Sequence, residues 1–423
     1  MNTIPLKTML GSRLSAAIMA ADSKDNVLKS FVYRPADYES QLALNIIGPL
    51  SGVPIAVKDL IDTADMPTTY GSRIFKGHQP ITDAWIVAKL REAGAIIFGK
   101  TVTTEFAWRD AGPTVNPWNT AHSPGGSSSG SAAAVAAGIV DIALGTQTVG
   151  SIIRPASYCG TYGYKPTFGR IPTDGVHDLS VSLDHLGFIV SELYWAAVCH
   201  AVIVQEDNLA VPSSLEVFAA GCKPNRLGVY RSSQWPYVQS DVQQNFEGVI
   251  RRLEKQGVEC IPIDFTQDLL TLNSLTNKIL AYEANMAIDE EVNGREEMAG
   301  SYTRKLLEFG KTISRKEYST LLDQLNDLRA ERDTTFASVD AIVTITSPTT
   351  ALKGLEKTGD ASFCMPATVL GLPAVSVPSG FSDEFLPYGL QIIGPANEDL
   401  SLINTAQWIS TILPTLSPPA INA

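Results

Sequence analysis

Short apolar runs alternate along the chain with stretches in which apolar positions recur at helical spacing. Val53–Val57 and Ile96–Phe98 read as buried strands, and Gly138–Gly145 carries a third within Ile-Val-Asp-Ile-Ala-Leu. Between the turn at Gln79-Pro80 and the second strand the pattern predicts a helix, with Asp83 as its N-cap and Gly94 as its stop. A further unit begins near Asn225: a strand at Leu227–Tyr230, a helix over Asp241–Gln256 ended by Gly257, and a strand at Val258–Ile263. Leu270 to Ala337 is helical and charged. Strands return at Ala341–Thr344, Ala374–Val377 and Gly389–Ile393, before a helix from Glu398 to Ile409. The alternation predicts an α/β fold whose mixed, mostly parallel central sheet is covered by helices on both faces. No Pro/Gly/Ser-rich linker divides it, so the expectation is a single domain over residues 1–423, with 196–338 as a cap that shapes the substrate site.

Composition narrows the function classes. The 423 residues are 44% hydrophobic and 18% charged, enough for a large core. A net charge of −12 argues against a nucleic-acid or anionic-membrane partner, since both require a basic patch. Five well-separated cysteines without CxxC spacing suggest neither a disulfide framework nor a zinc knuckle; they fit a reducing, cytoplasmic setting. Five histidines show no paired spacing, so no metal or other cofactor is expected. The small apolar stretch Leu14–Ala21 resembles a leader but is short and abuts Arg13. A surface helix packing Leu10, Leu14 and Ile18 is the better reading.

Two small-residue loops carry the candidate chemistry. Pro124-Gly-Gly-Ser-Ser-Ser-Gly-Ser-Ala-Ala-Ala-Val135 opens onto an alanine-rich helix, where unpaired backbone amides face outward at a positive helix end. It lacks the Gly-Lys-Ser/Thr of a phosphate-binding loop. Gly126–Gly130 satisfies GxSxG with Ser128 at its centre, but turn-forming residues precede it where a nucleophile elbow needs a strand. The second loop, Gly145–Ala156, leaves an apolar strand and turns at Gly150-Ser151, so that successive amides can converge on one oxyanion. Upstream lies Val53-Pro-Ile-Ala-Val-Lys-Asp59. Taken singly, Lys58 reads as a surface lysine and the serines as loop or cap residues.

Together these segments resemble the amidase signature family. The likeness rests on Gly125–Ala132, Gly145–Ala156, Gly52–Asp59, Gly99–Phe106, Ser182–Gly187, Gly371–Pro378 and Gly389–Gly394. The resemblance implies amide hydrolysis without a cofactor, with Lys58 as general base, Ser127 as relay serine on a cis peptide and Ser151 as nucleophile. It implies an oxyanion hole from the backbone amides of Thr148, Val149, Gly150 and Ser151. Serine needs a base to become nucleophilic, and lysine serves only when burial strips its proton.

Where the family often has Asp-Thr-Gly-Gly-Ser this chain has Gln147-Thr-Val-Gly-Ser151; Ile153-Arg154 replaces a common Arg-Gln pair; Val102 and Thr368 stand where asparagine is frequent. Its Gln-Thr…Ser-x-x-Arg-Pro pattern resembles malonamidases, which implies a short amide or ureide; Arg154, three residues after Ser151, reads either as a fork for a substrate carboxylate or as a structural salt bridge. Thr368 and Ser128 are further candidates for substrate contact. Three other expectations stay open: a homodimer, the amidase subunit of a glutamine-dependent amidotransferase, or a non-catalytic binding homologue.

Overall fold

The computed structural model describes residues 6–44, 46–204 and 218–421, with side chains from residue 12 onward. Its spine is one sheet of eleven strands: β1 (Phe31–Tyr33), β2 (Pro54–Lys58), β3 (Ile96–Thr101), β4 (Ile142–Gln147), β5 (Tyr162–Lys165), β6 (His185–Val190), β7 (Arg226–Tyr230), β8 (Glu259–Ile263), β9 (Ala341–Ile345), β10 (Ala374–Phe381) and β11 (Pro387–Ile393). Their spatial order is β1-β3-β2-β4-β6-β5-β10-β11-β9-β7-β8.

The α/β class and the mixed sheet are as expected, but parallel pairing is the smaller share. Among the described residues four neighbouring pairs are parallel and six antiparallel. One parallel triplet, β9-β7-β8, ends the sheet and another, β3-β2-β4, lies inside the antiparallel edge strand β1, with antiparallel strands between the two. Connectivity explains the difference. β4 and β5 run the same way through a crossover helix, but β6 inserts between them and turns one parallel contact into two antiparallel ones. The tight return from β10 to β11 does the same at the middle of the sheet.

Helices cover both faces because side chains alternate across each strand. Ile55 and Val57 of β2 point into the core formed with helices Trp85–Glu92, Leu193–Val204, Ser240–Lys255 and Asp399–Thr411. Ala56, Ala143 and Ile189 face the other way, toward Leu14 and Ala17 of helix Leu6–Leu28 and the helix Ser129–Ala136. Ile18 packs half-buried beside them, as a surface helix requires; the side chain of Leu10 lies outside the described residues. Truncating Ile55, fully buried at the sheet centre, would cost about 2–5 kcal/mol by the usual cavity rule.

Helix Ser129–Ala136 is buried throughout, and its small residues let it approach the sheet closely. A Cβ on Gly130 would fall 2.2 Å from the Ser30 carbonyl oxygen. Helix Trp85–Glu92 is capped by Ala84 rather than Asp83. Asp83 lies one residue too early, and its carboxylate is used to accept from the Ala64 amide and to pair with Arg91 at 2.9 Å.

Of residues 196–338, β7 and β8 extend the sheet, whereas three helices, Leu269–Val292, Ser301–Lys311 and Arg315–Glu331, build a separate apolar cluster with Leu60, Phe106, Leu179 and Met365. Residues 205–217 of this section lie outside the described residues. No described helix is long and apolar enough to cross a membrane.

Candidate active site

Three loops meet at the ends of the parallel triplet β3-β2-β4. Lys58 is the last residue of β2, and extension of a buried strand leaves its ammonium wholly enclosed. Its Nζ lies 2.6 Å from Ser127 Oγ and 2.7 Å from Thr146 Oγ1. Burial holds Lys58 well below the usual lysine range; the nearby Asp184 carboxylate opposes that shift and the Arg154 guanidinium adds to it. Burial thus shifts this group toward the neutral amine.

Ser127 follows a cis peptide bond at Gly126–Ser127, the feature the resemblance implied. The Gly126 backbone threads a space no side chain could share, since a Cβ there would approach Thr358 Cγ2 to 2.7 Å. Ser151 follows the β4 exit, and its carbonyl accepts from the Ser128 amide at 3.3 Å, tying the two loops together. Ser127 and Ser151 both line one cavity of about 520 Å³, while Lys58 lies behind them and does not reach it. Ser127 thus stands between the buried base and the cavity.

The nucleophile loop is built to present amides. Gln147 accepts at Oε1 from the Ile152 and Ile153 amides at 2.9 and 3.0 Å, satisfying the start of helix Ile153–Cys159. The amides of Thr148, Val149, Gly150 and Ser151 are left without an acceptor among the described residues, and all four residues line the cavity. Val149 needs no left-handed backbone; its half-buried side chain packs against the cluster of Leu179, Leu280 and Met365. Gly150 does need to be glycine: a Cβ would meet Ala361 Cβ at 2.7 Å and Cys364 Cβ at 3.0 Å.

Two residues expected to contact substrate do not line the cavity. Thr368 is fully buried and off the cavity wall; its hydroxyl accepts from Gln147 Nε2 at 3.1 Å and donates to the Val149 carbonyl at 2.8 Å, bracing the nucleophile loop. Ser128 is likewise buried, with its hydroxyl directed to the Thr146 carbonyl at 3.3 Å, because the helix that starts at Ser129 draws it beneath the loop.

Arg154 does line the cavity. It forms no ion pair among the described residues; its guanidinium donates to the Gly126 carbonyl at 2.6 Å, the Gly359 carbonyl at 2.9 Å and Thr358 Oγ1 at 3.2 Å, while Nε has no partner. The rest of the wall holds Trp108, Arg109, Asn273, Asn277, Tyr302, Glu356, Lys357 and Asp360. Thr146, which contacts Lys58, is a position that sequence reasoning missed, and Gln147, noted there only as a departure, braces the nucleophile loop. The only signal was two-residue alternation along β4, which puts Thr146 on the same face as Thr148.

A buried neutral lysine behind a serine pair, below amides free to donate, defines a serine hydrolase centre of the lysine-activated kind. The family model named Amidase matches residues 14–403, and the chain belongs to the amidase family, enzymes that hydrolyse amide C–N bonds. It is 35% identical to a glutamyl-tRNA(Gln) amidotransferase chain of Symbiobacterium thermophilum, over 85% of this chain and 82% of that one. Among solved structures it superposes on one described as an amidase with a TM-score of 0.86 at 26% identity, covering 96% of this chain and 99% of that one. The native peptide amidase of Stenotrophomonas maltophilia gives a TM-score of 0.82 at 25% identity, with 99% and 96% covered.

Proposed function

We propose that the protein hydrolyses a short amide or ureide through an acyl-enzyme on Ser151. The observation that carries this reading is the 2.6 Å contact between Ser127 Oγ and the fully buried Lys58 Nζ, directly behind the cavity that Ser151 faces. With the amine neutral, the Ser127 hydroxyl donates to Nζ and accepts the proton of Ser151 as its Oγ bonds to the amide carbon. The carbonyl oxygen gains charge against the amides of Val149, Gly150 and Ser151. Collapse breaks the C–N bond, and the proton held by Lys58 returns through Ser127 to the leaving nitrogen. Water then adds to the ester by the same proton path in reverse. Thr148 supports the turn that aims these amides.

The substrate is read from the cavity wall. Arg154 lines the cavity without a carboxylate partner among the described residues, which favours an acidic group on the substrate. The helices bearing Asn273, Asn277 and Tyr302 close the far side and select among short polar amides. Unpaired cysteine spacing supports a cytoplasmic location, and a homodimer is consistent with the family. Ammonia release from a panel of short amides, ureides and acidic half-amides tests the reading. Turnover of at least one class by wild type, and none by Ser151→Ala, is expected; equal rates in both would refute it.

A second reading is favoured by the amidotransferase chains that this protein matches at 31–35% identity. In that case glutamine would be the amide and activity would require partner chains. Full turnover by the isolated protein on a non-glutamine amide would exclude it.

A further inference from the structure

We propose that Asp184 is a positioning residue for this reaction, holding the oxyanion loop in register and setting the charge seen by Lys58. The proposal rests on the Ser151–Ser127–Lys58 reading above. Asp184 Oδ1 accepts from the Thr148 hydroxyl at 2.5 Å, immediately before the amides that face the cavity. Its other oxygen, Oδ2, accepts from the Leu179 and Ser180 amides at 2.8 and 2.9 Å. One carboxylate therefore joins the loop that carries Leu179, a residue of the cavity wall, to the turn that carries Ser151.

That loop is itself fixed from the opposite side. Glu283 of helix Leu269–Val292 is a buried carboxylate that accepts from the Ser180 hydroxyl, from the Ser182 amide at 3.1 Å and hydroxyl at 2.5 Å, and from Tyr318 Oη at 2.5 Å. Asp184 is thus anchored to a scaffold whose own polar groups are satisfied. A Thr148 rotamer released from Asp184 would free the first residue of the oxyanion turn, and misplacement on the ångström scale is what such donors tolerate least.

The electrostatic part has a definite sign. The charged groups facing Lys58 are Asp184 and Arg154, and Asp178 faces Asp184. Burial raises Asp184 to about 6, against its hydrogen bonds from Thr148, Ser180 and Leu179. Its negative charge favours the protonated form of Lys58. Removing that charge makes Lys58 easier to deprotonate and also deletes a group that titrates near pH 6. Both effects move the acid limb of activity to lower pH.

The test compares wild type, Asp184→Asn, Thr148→Val and Thr148→Ser on one amide that wild type turns over, with Ser151→Ala as control. Asp184→Asn is expected to lower kcat by about 10-fold to 100-fold with KM changed far less, and to shift the acid limb of kcat/KM downward. Thr148→Val should lower kcat similarly but move the limb upward, because it deletes a hydrogen bond that holds Asp184 down, and Thr148→Ser, which keeps the hydroxyl, should recover most of the rate. Wild-type kcat and an unmoved limb in folded Asp184→Asn would overturn the inference while leaving the Ser151 reading intact. If Asp184→Asn fails to fold, wild-type kcat in Thr148→Val overturns it instead. Activity in Ser151→Ala would instead overturn the reading on which it rests.

Discussion

Arg154 donates to the Gly126 carbonyl oxygen at 2.6 Å, so the residue expected to grip substrate also holds the peptide that carries the relay serine. The same guanidinium reaches Gly359 and Thr358 across the cavity. Charge and position are combined in one side chain. Arg154→Ala is expected to lower kcat for every amide by about 10-fold to 100-fold, because Ser127 loses a fixed neighbour. Acidic amides should lose about a further 10-fold in kcat/KM, the worth of one charge-assisted contact. Steady-state kinetics on matched acidic and neutral amides separate the two effects. Equal losses for both would remove the carboxylate from the substrate reading.

Lys58 links catalysis to stability. The unfolded chain keeps a proton at this lysine up to the usual lysine range, and the folded chain gives it up at lower pH, since burial holds the group well below that range. The unfolded state binding more protons means that stability rises with pH across the window between the folded and unfolded values. Lys58→Met should lower turnover by about 10²-fold or more, and its stability should lose the rise with pH that Lys58 gives the wild type. Thermal unfolding of both proteins at several pH values checks this. A stability difference between the two proteins that does not change with pH would show that Lys58 titrates in the fold as it does in the unfolded chain.

Gly150→Ala tests the fit of the nucleophile loop. The new methyl would press on Ala361 Cβ at 2.7 Å and Cys364 Cβ at 3.0 Å, both attached directly to backbone. Neither can swing away, so the loop must move. The expected result is a fall in kcat of about 10²-fold, of the size seen when an oxyanion donor is lost, with a change in Tm of a few degrees only. Circular dichroism melts alongside kinetics distinguish this from simple unfolding.

Thr368→Val removes a hydroxyl that serves both Gln147 and Val149. Gln147 Nε2 and the Val149 carbonyl would then be buried without a partner, at a cost of about 1–3 kcal/mol. Denaturant unfolding should register that loss. KM should stay within about 2-fold, because Thr368 does not touch the cavity.

Much of this arrangement was legible in the sequence where local chemistry and spacing agree. Apolar runs placed β2, β3, β4, β7, β8, β9, β10 and β11 to within a few residues, since buried strands leave continuous apolar stretches. β6, His185–Val190, was missed between motif residues, and β5, Tyr162–Lys165, is too short and polar-ended to stand out. Pairing direction depends on which strand inserts beside which, and no local pattern records that. The roles of Ser127, Ser151 and Lys58 were legible through the family resemblance that their three segments carry together, since each residue alone reads as ordinary. The roles of Asp184 and Thr146 were not: Asp184 lies in the motif segment Ser182–Gly187 and Thr146 in a strand, and neither shows its partner until the fold brings Asp184 to Thr148 and Thr146 to Lys58. Ser128 and Thr368 were misplaced for the converse reason, because side-chain direction at a helix start or beneath a loop is set by tertiary packing.

The most direct test of the central claim is active-site labelling by a serine-directed phosphonate, followed by peptide mapping. The account predicts one adduct, on Ser151, absent in Ser151→Ala and formed much more slowly in Lys58→Ala and Ser127→Ala. An adduct on Ser128, or undiminished amide turnover by Ser151→Ala, would contradict it.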